Sequence, residues 1–178
     1  RRKEKFWQLP RTEKTEERRQ VSHGYSAKER RQKKKKNTKN QPQRLLLTWL
    51  VEHPDMYQYI RPYIGADDFI EPLYHSVAIM LFEQLDKEEK INPAAILSRF
   101  TDAEEQKEIA GLFNAKIHEV ETKQDKEKAL KETIERIKEN SIDVRSRQSD
   151  PNDLTVVMQL INEQKELEKL KKTHISID

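Results

Sequence analysis

Five histidines, at positions 23, 53, 75, 118 and 174, are the first residues to test for chemistry. They lie in different segments, and none forms HExxH, HxxxH or another spacing that would set two imidazoles on one helical face beside a carboxylate. A zinc site is therefore not expected, and the absence of cysteine removes thiolate ligands, disulfides and a thiol nucleophile together. Asp67 with Asp68, and Asp86 with Glu88 and Glu89, could in principle hold a hard cation, although acidic pairs beside helix ends more often act as caps or solvated charge. His75 reads as a half-buried core residue rather than a base, and His174 as a helix-end residue. There is no glycine-rich phosphate loop and no GxSxG. These residues point to a protein that binds rather than reacts.

The elements that carry the binding surface can be read from charge and periodicity. Of the 178 residues, 38% are charged and 34% hydrophobic, against roughly 25% charged in an ordinary globular chain, so one large core is not expected. Three glycines leave few strand turns, while helix formers abound, and the expected class is all-α. Apolar runs such as 45–47 and 77–82 fall far short of the roughly 20 residues that span a bilayer, and the first residues lack an apolar export core. A soluble, cytoplasmic protein without membrane contact is the expectation.

The net charge of +3 hides a division. Residues 1–43 carry 16 Lys and Arg against 5 Glu, a net of +11, and residues 44–178 carry 19 against 27, a net of −8. Residues 11–41 read as a flexible basic linker, with too little apolar surface to offset the entropy of ordering. Phe6, Trp7 and Leu9 ahead of it read as the trailing end of a preceding domain, so residues 1–41 form one region. Lys33, Lys34, Lys35 and Lys36 offer a weak, nonspecific nucleic-acid contact that would fade with salt. A solvated linker accounts for them equally well. Sequence-specific recognition is not supported, because no helix-turn-helix pattern is present and Trp7 and Tyr25 are too isolated to stack bases.

Past Pro42, which suits the first turn of a helix, Leu45, Leu46, Trp49 and Leu50 recur at helical spacing. Tyr57, Ile60, Tyr63 and Ile64 form a second apolar cluster. Pro72 opens a stronger helix with Leu73, Val77, Met80, Leu81 and Leu85 on one side. Asn92 and Pro93 read as cap and first turn of a short helix, and Thr101 with Glu104 has the spacing of a capping box. Residues 42–124 therefore form a compact multi-helix bundle. Residues 125–178 form a long helix and a C-terminal antiparallel helical hairpin. Leu130, Ile134, Ile137, Ile142 and Val144 make a sparse stripe up to Asp150, about 24 residues or roughly 36 Å of helix. The chain turns at Asp150, Pro151 and Asn152. Val156, Leu160, Leu167, Leu170 and His174 then form a coiled-coil-like seam, capped by Asp153 or Asn152. The hairpin can be an ordinary antiparallel pair, or a marginal projection that completes its contacts on a partner; the thin stripe favours the partner.

The residues from Leu45-Leu46-Leu47-Thr48-Trp49-Leu50, through Asp67-Asp68-Phe69, to Glu132-Thr133-Ile134-Glu135-Arg136-Ile137-Lys138-Glu139-Asn140-Ser141-Ile142 resemble the C-terminal helicase-binding domain of bacterial DnaG-type DNA primases, those of Firmicutes above all. Leu160-Ile161-Asn162-Glu163-Gln164-Lys165-Glu166-Leu167-Glu168-Lys169-Leu170 and His174-Ile175-Ser176 look like that family's closing hairpin. The likeness covers about residues 42–178, with a basic linker ahead of it. It implies docking on the N-terminal collar of the hexameric DnaB-type replicative helicase, coupling RNA primer synthesis to fork unwinding, with the hairpin as main anchor. It also implies a bundle similar to the helicase's own N-terminal domain. In the family, primer synthesis needs zinc and magnesium held in domains that this sequence does not contain, so no cofactor and no catalytic residue is expected here.

Carried over to this chain, the likeness implies a docking face that includes Leu160, Gln164, Leu167, Lys171 and Ile175. A monomer is expected, and single-strand-binding protein is a further candidate partner. Two other classes stay open from the residues alone. One is the N-terminal domain of a replicative helicase or its loader, and the other is a nonspecific nucleic-acid-binding helical protein acting through residues 1–43.

Overall fold

The computed structural model describes residues 27–87, 90–115 and 122–177, with side chains from Asn40 onward. Among the described residues there are seven α-helices, two 3-10 turns and no strand, which is the all-α class expected. The chain divides into two units after Thr38, and residues 39–178 make up the second, compact one. Of the first, the helical backbone from Ala27 is described. His23, His118, Glu88, Glu89, Phe6, Trp7 and Leu9 lie outside the described residues, as do the side chains of Lys33 to Lys36.

Helix α1 runs Ala27–Glu52 and contains Pro42. This corrects the placing of Pro42 in a first turn, and the reading of a flexible linker to residue 41 does not hold from Ala27 onward. The physical reason is local. Residues 28–36 are all Lys, Arg, Glu and Gln, good helix formers without a breaker, so charge alone does not prevent a helix there. Proline cannot donate to the carbonyl four residues back, here Thr38, so the helical ladder lacks that one bond.

In the second unit, α1 contributes Leu46, Leu47, Trp49 and Leu50 to the core. A 3-10 turn Pro54–Met56, helix α2 (Tyr57–Ile60) and a second 3-10 turn Ala66–Asp68 follow. Helix α3 (Pro72–Asp86) starts on Pro72 as expected and buries Tyr74, Val77, Ala78, Leu81 and Phe82. Leu73, Met80 and Leu85, read as part of the buried side, pack at its edge. Phe82 meets Tyr57 at 5.2 Å and the edge of Phe69 at 5.9 Å between ring centroids.

Helix α4 (Pro93–Leu97) has the expected cap, with Asn92 Oδ1 accepting from the Ala95 N–H. Helix α5 (Ala103–Asn114) is capped differently. Asp102, not Thr101, accepts from the Glu104 and Glu105 N–H groups at 2.9 Å each. A carboxylate one residue closer to the helix carries a full charge toward its positive end, so it outcompetes the threonine hydroxyl. Tyr74 donates to Glu108 at 2.8 Å, and Arg44 lies 3.3 Å from the same carboxylate, which ties α1, α3 and α5 together.

Helix α6 (Lys123–Gln148) buries Leu130, Ile134 and Ile137, and helix α7 (Leu154–Lys172) returns along it, burying Leu167 and Leu170. All these side chains belong to one core with the bundle residues. Asp68 accepts from the Gly65 N–H at 3.0 Å and pairs with Lys138 at 3.2 Å, so an acidic residue that caps a 3-10 turn also ties that turn to α6.

Candidate functional site

The hairpin is where exposed apolar surface gathers. The turn is built by Asp150, whose side chain accepts from the Asn152 N–H at 2.9 Å. Asp153 then caps α7 by accepting from the Thr155 and Val156 N–H groups, which settles the choice between Asp153 and Asn152. Polar links hold the arms together beyond the apolar seam, among them Lys131 Nζ donating to the Lys171 carbonyl oxygen at 2.7 Å. Arg145 grips Glu163 through two parallel contacts, Nη1 to Oε1 at 2.8 Å and Nη2 to Oε2. Lys171 meets Glu139 at 3.0 Å and Glu168 at 3.3 Å, and the first of these holds the ammonium above its ordinary range. At the foot, Glu127 is buried and accepts from the Ile177 N–H at 2.9 Å, with the His174 imidazole 3.4 Å away.

These links redistribute the residues expected on the docking face. Leu167 and Ile175 are 1% and 3% exposed, members of the core rather than a surface for a partner. Lys171 is exposed but spans the two arms, Leu160 is half-buried, and Gln164 is exposed. Sequence spacing finds the seam but not which side faces out, because a helix packed on its neighbour and a helix packed on a partner use the same residue types. His174, expected on the seam, is exposed: α7 ends at Lys172 and Thr173 turns extended, so the helical phase is lost and Ile175 takes the buried place.

The outward face of α7 is a different set. Leu154, Met158 and Ile161 are 74%, 64% and 49% exposed, three of the four large apolar residues exposed among the described positions. Their spacings of four and three put them on one stripe, opposite the side that carries Leu167 and Leu170 at about 100° per residue. Beside the stripe Leu154, Thr155, Met158, Gln159, Asn162, Glu163 and Glu166 line an open depression of about 500 Å³. The signal in the sequence marks the stretch but not its outward side. Leu154 to Asn162 holds no charged residue in a chain that is 38% charged, so this half of the helix has nothing to present to water on its outer side except apolar and amide groups.

The remaining candidates do not assemble into a reactive site. His75 is half-buried, its Nδ1 2.9 Å from the Ala66 carbonyl oxygen, as a core histidine would be. Asp86 accepts from the Tyr57 hydroxyl at 3.0 Å and faces Arg61 at 4.0 Å. Among the described residues no group of three or more His, Cys, Asp or Glu is arranged to hold a metal ion, and no helix is long and apolar enough to cross a membrane.

Comparison with known proteins agrees with the likeness read from the residues. The family model described as DNA primase DnaG DnaB-binding matches residues 43–170, well over half of the chain. No curated protein and no solved structure matches. The matched range opens at Gln43, a buried position of α1, and closes at Leu170, the last buried position of α7, with Ile175 of the same core just beyond it. A bundle, a closing hairpin and a family match over both place this chain in the DnaB-binding family of DnaG-type DNA primases, the domain by which primase binds its helicase.

Proposed function

We propose that the chain docks on the N-terminal collar of the hexameric replicative helicase through the outer stripe of α7, Leu154, Met158 and Ile161, and so couples primer synthesis to fork unwinding. The observation that carries this reading is the exposure of that stripe. Burying three large side chains is worth about 1.5–3 kcal/mol each, and soluble proteins rarely leave such residues together in water without a partner for them. The hairpin links support it as well. A helix gripped by Arg145–Glu163 and Lys171–Glu139 is already ordered, so docking does not have to order it.

The chain acts as a monomer in this reading, with the outer stripe of α7 taken by the helicase; among the described residues the fourth exposed large apolar side chain, Ile79, stands apart on α3. Lys33 to Lys36 add a phosphate contact that carries no sequence preference and weakens with salt. The test is a calorimetric titration of the whole chain against the hexameric helicase, beside the variant Leu154→Ser with Met158→Ser. Both side chains are solvent-exposed, so the variant folds as the parent does and its helicase affinity falls by about tenfold or more. Unchanged affinity would place docking elsewhere.

A further inference from the structure

The outer face of α7 changes character halfway along. At positions 154, 158 and 161 it is apolar, and the same stripe continues through Lys165, Lys169 and Lys172 at spacings of four, four and three. All three lysines are exposed, and none makes an ion pair among the described residues. Lys171, by contrast, belongs to the flank and is engaged with Glu139 and Glu168. The stripe therefore presents an apolar patch continued by a row of unneutralised cations about 10 Å long, at about 1.5 Å of rise per residue.

Resting on the docking reading, we propose that the helicase surface that receives α7 is apolar opposite the tip and acidic beyond it, and that Lys165, Lys169 and Lys172 meet its carboxylates. Two features favour an acidic protein surface over a nucleic-acid backbone. The cations run on directly from Leu154, Met158 and Ile161, for which a phosphate backbone has no use. Glu168, held by Lys171 at 3.3 Å, borders the row on one side and the exposed Glu166 on the other, so the cations are flanked by carboxylates that a continuous run of phosphates would find repulsive. Lysine also suits the role. It is a point charge on a long stem and can reach a carboxylate without the fixed geometry a guanidinium requires. The cations thus steer the approach and fix which way the hairpin lies, while the apolar tip supplies the hold.

The experiment measures association of the whole chain with the hexameric helicase at low and moderate salt. The variants are Lys165→Glu/Lys169→Glu/Lys172→Glu, its Gln counterpart, and Leu154→Ser/Met158→Ser, with single-stranded oligonucleotide as a second ligand. Circular dichroism checks the helix content of each variant, and the Gln set keeps carboxylates away from the helix end. The expected result has three parts. Charge reversal slows association by about tenfold or more at low salt and reverses its salt dependence, so that added salt now speeds binding. The Gln set lies between reversal and parent, and the serine variant binds more weakly at both salts with its salt dependence intact. If the lysine variants bind as the parent does while the serine variant is lost, the acidic match is overturned and the docking reading stands. If neither set changes binding, both are overturned. If the lysine variants lose the oligonucleotide and keep the helicase, the row holds phosphates and the proposal is wrong.

Discussion

Tyr57 and Tyr74 set the buried polar chemistry of the bundle. Burial raises the Tyr57 hydroxyl from its ordinary 10.0 to about 12, with the hydrogen bond to Asp86 adding to the shift, and burial beside Glu108 raises Tyr74 further still. A folded-state value above the unfolded one favours the protonated form in the fold. The stabilisation is complete below about pH 10 and is lost as the pH climbs toward 12. Alkaline unfolding followed by phenolate absorbance is therefore expected to begin above pH 10, and Tyr57→Phe to remove part of that dependence; an unchanged profile in the variant would assign the transition to other groups. At the same scale, Leu167 and Leu154 separate packing from docking. Leu167→Ala opens a cavity in the shared core and is expected to cost about 2–5 kcal/mol in denaturant unfolding, whereas Leu154→Ser changes stability by about 0.5 kcal/mol at most and acts on helicase binding. The sequence marks both as leucines on a helix. Burial alone tells them apart.

Helices α6 and α7 were legible as elements because their apolar residues keep a helical period over long runs, and the turn between them because Asp150, Pro151 and Asn152 cannot continue a helix. Their ends depend on single side chains. Asp153 donates nothing and accepts two backbone N–H groups, so Asp153→Ala is expected to cost about 1 kcal/mol and to fray the first turn of α7, where Leu154 sits. Helicase binding should weaken with that fraying, and a normal affinity with the cap removed would mean that docking does not need the first turn. Thr101 shows the limit of such reading. The capping-box spacing was present in the sequence, but the neighbouring Asp102 takes the role because its carboxylate is the stronger acceptor at a helix start. Proline at position 42 was equally ambiguous: the same residue suits a first turn or an interior break, and the helix-forming run before it decided for the interior.

Residues 39–178 form one compact unit, and the family match lies within it. A fragment of residues 39–178 is expected to unfold in a single cooperative transition and to bind the helicase as the whole chain does. Ending that fragment at Gln148 removes α7, leaves Leu130, Ile134 and Ile137 without part of their cover, and should abolish binding; retained binding would move the docking face to the bundle. The helical class, the bundle followed by a hairpin, the turn and the family were all present in the amino-acid order. They rest on periodicity, helix-breaking residues and recurring words, which are local or nearly so. The side of α7 that meets water was not present in that order. Leu160, Leu167 and Ile175 look as suitable for a partner as Leu154, Met158 and Ile161 do, and the choice is made by α6, whose Ile134, Ile137, Glu139 and Arg145 take one side of the helix and leave the other. An amphipathic stripe states that a face will be buried, and three-dimensional packing states against what.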